Sequence, residues 1–291
     1  MLRDSVGGAT TNLTDSKIPA DIYNEVARVC TQKLGTREDE LAKIWLDFAR
    51  TQDNKIIPRG LTKRPVMTLP YGSTQQSCRE YIYKYMMEDA PEAFSKEIRF
   101  RLACYLTPIL WESIGEIVIA ARQAMDWVQK CAGASAKKNL PMQWETPIGF
   151  TVYQSRKKVL SKRIRTELAG ELKMRLNVDS DEIDVQKQRL GAAPNFVHSM
   201  DACHLMLMLL NAKSKGVNNF ACIHDDFGTH ANDTDLLHQA IREAFVDMYT
   251  TNDPLTTLKV ALEAQGIDIP EVPHRGSLNI QDVLKSSYFF G

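Results

Sequence analysis

Apolar residues recur along most of this chain at helical spacing. Leu41, Ile44, Trp45 and Phe48 share one face, and Thr36 stands upstream where a side-chain oxygen can cap a helix. A longer stripe runs through Ile109, Leu110, Ile114, Ile117, Val118, Ala121 and Met125. Pro194, a residue favoured at a helix start, precedes a periodic run from Asn195 to Ala212. Leu236, Leu237, Ala240, Ile241, Ala244, Phe245 and Met248 mark another helix. Amphipathic stripes of this kind bury one face, so the pattern predicts a helical core.

The helical period breaks in a few places. NNFACIHDDFGTH, at 218–230, sets β-branched and aromatic residues on either side of a polar turn and predicts two short antiparallel strands. WETPIGFTVYQ, inside 139–159, has a Pro-Ile-Gly turn between β-prone segments and predicts a second hairpin. The fold expected is α+β, mainly helical, with small antiparallel hairpins. A shift to GASAKKN near 133–139 suggests dividing the chain into 1–135 and 136–291.

Composition narrows the classes. The 291 residues suffice for a sizeable core, and 36 basic residues balance 36 acidic ones, so a nucleic-acid argument must be local. The six cysteines, at 30, 78, 104, 131, 203 and 222, form no C-x-x-C pair, which points away from a zinc site or disulfide framework. No apolar run is long enough to span a bilayer, and MLRDSVGG lacks a signal-peptide core. A cytoplasmic location without membrane partners is the expectation.

Candidate chemistry lies in four segments. Arg59, Lys63, Met67 and Tyr71 recur every four residues in RGLTKRPVMTLPYG, a helical line of two cations and a ring that suits a triphosphate and its base. A solvated basic face beside a core tyrosine fits the same spacing. Pro65 is harmless if Thr62 caps the helix, whereas Pro70 lies deeper and predicts a bend at Tyr71. His224, Asp225 and Asp226 fall at the turn of the 218–230 hairpin, where a carboxylate can reach a metal or simply serve the turn. His198, Asp201 and His204 follow i, i+3, i+6 on a helix, which is not metalloprotease spacing. Finally, Arg156, Lys157, Lys158, Lys162, Arg163 and Arg165 crowd ten residues without an acid. A strand would turn Arg163 and Arg165 to one face, toward phosphates or base edges. Pairing with Asp179, Asp181, Glu182 and Asp184 is the competing explanation.

Taken together, LRDSVGG, RGLTKRPVMTLPYG, WESIGEIVIAA, PNFVHSMDACHL, FACIHDDFGTHANDTD, REAFVDMY and GSLNIQDVL through the terminal YFFG resemble the C-terminal part of the single-subunit DNA-directed RNA polymerases. That is the T-odd bacteriophage and mitochondrial type, related to DNA polymerase I. The resemblance implies fingers and part of the palm of a right-handed polymerase, with magnesium as cofactor. It implies a DNA template and promoter, nascent RNA and ribonucleoside triphosphates as partners. By the same resemblance Arg59 and Lys63 bind the incoming triphosphate. Met67 lies on that nucleotide-binding segment, Tyr71 stacks near the nascent pair and helps select ribose, and Gly72 allows close approach. Asp225 is one of two catalytic carboxylates holding magnesium, His224 lies beside it, and His198 contacts the growing duplex. Segment 156–175 resembles a promoter-reading hairpin, with Arg163, Arg165 and Arg175 as contacts, and Tyr288 to Gly291 resembles a terminal foot near the active site.

The sequence departs from the family pattern in three ways. Asp226 stands where a small residue or Cys is usual, and Pro70 replaces a residue that need not break a helix. Met1 falls just after the family segment that carries the other metal-binding Asp, and Asp4 is no replacement. A two-metal site holds ions about 3.5–4 Å apart between carboxylates from different segments. The expectation is therefore a polymerase C-terminal portion that needs a separately encoded N-terminal piece. The rival readings are a non-catalytic nucleic-acid-binding fragment and a polymerase that makes DNA.

Overall fold

A computed structural model describes residues 1–166 and 172–289, except the side chains of Thr166 and Leu172. The chain is mainly helical: α1 (Ser5–Thr10), α2 (Ile22–Gly35), α3 (Glu40–Arg50), α4 (Arg59–Thr68), α5 (Gln75–Glu88), α6 (Arg99–Ile117) and α7 (Ile119–Lys137) precede the first strands. Strands β1 (Met142–Glu145), β2 (Thr151–Gln154), β3 (Lys157–Thr166) and β4 (Leu172–Ile183) lead into the long α8 (Val185–Ser214). Next come β5 (Ala221–Ile223), β6 (Asp226–Gly228), α9 (Thr234–Thr251), α10 (Pro254–Ala264) and a short 3-10 segment, Ile280–Lys285. The strands pair as three separate antiparallel hairpins, β1–β2, β3–β4 and β5–β6.

Both hairpins expected from the sequence form, with Trp144 opposite Val152 and Cys222 opposite Phe227. Several boundaries differ. Asp39, not Thr36, caps α3 by accepting from the Ala42 N–H, and Thr36 instead closes α2. Thr62 is no cap either: α4 opens at Arg59 after Pro58, and the buried Thr62 hydroxyl lies 3.0 Å from the Tyr23 and Arg59 carbonyls. The long helix starts well before Pro194, because Asp184 accepts from Gln186 and Lys187 and provides the stronger start signal. Pro194 then sits inside α8. The 109–125 stripe is cut at Val118 into two helices that meet at 97°.

That bend divides the packing. Trp45, Leu34, Ile57, Leu61, Ile82, Leu102 and Leu106 lie in one buried cluster drawn from α2 through α6. Trp127, Cys131, Trp144, Phe196 and Met200 belong to a second, and Met208, Leu237, Ala244 and Val283 to a third. Full burial of one such aliphatic side chain stabilises by about 1.5–3 kcal/mol. Among the described residues no single helix is long and apolar enough to cross a membrane; α6 and α7 meet that test only jointly, across their bend.

The β3–β4 ribbon stands apart from these clusters. Its root is tied down by a buried polar lattice: the Gln188 amide donates to the Gln154 carbonyl at 2.9 Å, and its oxygen accepts the Arg156 N–H at 2.9 Å. Gln154 returns a bond to the Gln188 carbonyl and accepts one from Asn195. Asn139 adds a second anchor by accepting the Ile183 N–H at 2.7 Å.

Candidate active site

Helix α4 turns Leu61, Thr62, Pro65 and Val66 inward, which leaves Arg59, Lys63 and Met67 along its exposed side. The helix tightens into a 3-10 turn over Leu69–Tyr71, with Pro70 among its first residues, so the expected bend at Tyr71 is present. Gly72 follows with φ of 82°, a left-handed conformation in which a side chain is strained. A Cβ there would lie 3.5 Å from the Leu190 carbonyl. Leu190 is four residues before Pro194, whose missing N–H leaves that carbonyl without its helical donor. The turn carrying Tyr71 thus lies against the interrupted stretch of α8.

On α8, His198 faces out, and its ring centre lies 4.8 Å from that of Tyr71. Asp201, one turn on, acts on the same phenol. Burial, together with the charges of Asp201, Asp225 and Tyr23, raises the Tyr71 pKa above its ordinary value. Tyr71 is therefore a protonated hydrogen-bond donor at neutral pH. The β5–β6 turn is a two-residue connection, His224–Asp225, in which His224 adopts φ of 54°. It is held to α8 by Phe227, whose ring meets the buried His204 edge-on at 5.9 Å. His204 itself faces the Ile241 carbonyl at 2.9 Å, so it is a core histidine. Segments far apart in sequence thus bring Tyr71, His198, Asp201 and Asp225 into one neighbourhood.

Asp225 and Asp226 are both exposed; Asp225 is in the turn, while Asp226 opens β6 opposite Ile223. Among the described residues no group of three His, Cys, Asp or Glu side chains converges to hold a metal. Magnesium takes one or two carboxylates and fills its remaining positions with water and phosphate oxygens. Asp225 suits one such ligand, but these residues alone do not complete a two-ion centre.

Arg59 has partners that sequence reasoning missed. Its Nε donates to Asp21 at 2.6 Å, and the guanidinium lies over the Tyr23 ring, 4.8 Å from its centre. Asp21 caps α2, and nothing local in the sequence announces its pairing with Arg59. Lys63 makes no ion pair among the described residues.

The β3–β4 ribbon carries the other candidate cations. In its register Val159 faces Asp179, Ser161 faces Asn177, Arg163 faces Arg175, and Arg165 faces Lys173. Strand alternation places these residues on one face, with its cations toward the end distant from α8. The ion pair Lys158–Glu182, at 2.6 Å, lies at the root. The stretch 167–171 of the promoter-hairpin-like segment, and Phe290 and Gly291 of the terminal foot, lie outside the described residues. Tyr288 hydrogen-bonds the Lys17 carbonyl, and Phe289 packs on Phe245 at 4.9 Å.

The chain belongs to the DNA-dependent RNA polymerase family, whose pattern it matches over residues 1–266. It is 34% identical over 344 aligned positions to T7 RNA polymerase of Escherichia phage T7, covering 100% of this chain and 38% of that relative. It is 35% identical to DNA-directed RNA polymerase 2B of Nicotiana tabacum, covering 99% of this chain and 28% of the relative. With DNA-directed RNA polymerase 2A of the same plant it shares 35% identity, over 99% of this chain and 86% of the relative. The chain thus spans well under half of the first two relatives.

Proposed function

We propose that this chain forms the fingers and the metal-bearing palm hairpin of a DNA-directed RNA polymerase, in which 1–135 is the nucleotide-binding region and 136–291 carries the ribbon and palm hairpin. The reaction is transfer of a ribonucleotide to an RNA 3′ end on a DNA template. The approach of Tyr71 to His198, with the charges of Asp201 and Asp225 acting on the same phenol, carries this reading.

In this reading Arg59 and Lys63 neutralise the triphosphate, with Met67 on the same side of α4. Tyr71 supports the nascent pair and donates a hydrogen bond, and Gly72 lets its turn lie close to α8. His198 and His224 flank the duplex end. Magnesium, bound with Asp225 as one ligand, supplies charge neutralisation at the reacting phosphate. In this reading the second carboxylate comes from a separate polymerase segment, since among the described residues no group of three His, Cys, Asp or Glu side chains converges to hold a metal. Arg163, Arg165 and Arg175 contact promoter DNA from the ribbon, mainly through phosphates.

The test is magnesium-dependent extension of a primed RNA on a DNA template, by this chain alone and mixed with a polymerase fragment that supplies the upstream carboxylate. Extension only in the mixture, reduced at least about a thousandfold by Asp225→Ala, is the expected outcome. Extension by the chain alone would refute the need for a second piece, and indifference to Asp225→Ala would leave a nucleic-acid-binding role.

A further inference from the structure

Arg59 is exposed, yet it is already engaged. Asp21 Oδ2 accepts its Nε at 2.6 Å, and the ring of Tyr23 lies under the guanidinium. The pair is firmly founded: Asp21 Oδ1 caps α2 by accepting from Tyr23 at 2.9 Å and Asn24 at 3.3 Å, and Asn24 Nδ2 donates to Oδ2. Thr62, on the next turn of α4, hydrogen-bonds the Tyr23 carbonyl and locks the two helices together. Arg59 therefore sits beside a fixed negative charge that the four-residue pattern on α4 does not reveal.

Resting on the reading that Arg59 binds phosphate, we propose that Asp21 is an internal counter-anion that competes with the triphosphate for Arg59. Two effects of Asp21 oppose each other. Holding one long side chain in place is worth roughly two- to tenfold in affinity. A unit charge about 6 Å away through water changes affinity by roughly threefold for each charge on the ligand. A triphosphate carries several charges, so the electrostatic effect wins. An asparagine at position 21 would keep both the cap and a neutral acceptor for Nε, so little of the ordering is lost. The functional consequence is a nucleotide grip that lets go: Arg59 returns to Asp21 as the leaving pyrophosphate departs.

The experiment is calorimetric titration of the full chain with inorganic tripolyphosphate, ATP, ADP and AMP at low and at physiological salt. Asp21→Asn is expected to bind tripolyphosphate and ATP about five- to tenfold tighter, ADP less so and AMP unchanged, with the gain shrinking as salt rises. Its melting temperature should match that of the unaltered chain. Arg59→Ala should weaken tripolyphosphate binding and, in the double variant, shrink the gain from Asp21→Asn to what direct repulsion between Asp21 and the ligand contributes. Equal or weaker binding by Asp21→Asn, while Arg59→Ala still weakens it, would overturn the competition and leave the nucleotide reading intact. A gain of the same size with and without Arg59 would overturn the competition for Arg59. No binding by the unaltered chain, or indifference to Arg59→Ala, would sink the nucleotide reading and this proposal together.

Discussion

Tyr71 combines an exposed ring with a hydroxyl whose proton is held by its surroundings. Because burial and the nearby carboxylates oppose its ionisation, Tyr71→Phe removes a donor while leaving the ring beside His198. Loss of a hydrogen bond that distinguishes two ligands is worth about 1–3 kcal/mol. In the assembled polymerase we expect Tyr71→Phe to lower the ribonucleotide-to-deoxynucleotide ratio of kcat/KM by roughly ten- to a hundredfold. An unchanged ratio would remove Tyr71 from sugar selection. At this scale the sequence was informative where chemistry followed a local period: Arg59, Lys63, Met67 and Tyr71 stay on the exposed side of one helix and its turn. It was silent where chemistry depends on a distant partner. Asp21 reads as an ordinary cap, and the approach of His198 to Tyr71 follows from how a 3-10 turn packs on α8.

Helix starts show how an element is misjudged. Thr36 and Pro194 are sound start residues in isolation, yet Asp39 and Asp184, with carboxylates already hydrogen-bonded to N–H groups of the first turn, fix the actual starts. The two hairpins were legible because turn chemistry and alternation agree within a dozen residues. The anchor of the ribbon was not, because Gln188 and Gln154 look like surface residues in sequence and are buried together. Gln188→Ala would leave the Gln154 carbonyl and the Arg156 N–H unpaired at about 1–3 kcal/mol each. We expect a loss of roughly 2–4 kcal/mol in urea denaturation, together with faster proteolysis of the β3–β4 ribbon. A change below the resolution of the titration would mean that the lattice is replaced by water.

Burial lowers the His204 pKa below its ordinary 6.5, and the Ile241 carbonyl only partly offsets this. Below that value the unfolded chain takes up a proton that the folded state refuses, so stability falls as pH drops from 6.5 toward the depressed folded value. His238 shifts in the same direction, through burial and Arg242. His204→Gln should therefore flatten, without abolishing, the slope of stability against pH on the acid side. An identical slope would show that His204 does not contribute.

Across the whole molecule, the stripe that reads as one long helix serves two clusters because the chain turns at Val118, and no periodic pattern encodes that 97° change. The ribbon poses the complementary problem, since it is exposed on both sides. Opposite its cationic side, Leu160, Ile164, Met174, Leu176 and Val178 are all at least 39% exposed. They surround Lys162, which stands directly across from Leu176. A bare apolar ribbon is a template for pairing with its own copies, and a single charge in its middle is a barrier to that stacking. On this ground Lys162 is expected to limit self-association of the polypeptide at high concentration. Lys162→Val should fold normally yet scatter light in a concentration-dependent way at concentrations where the parent chain stays clear; a clear solution would show that the ribbon's twist suffices.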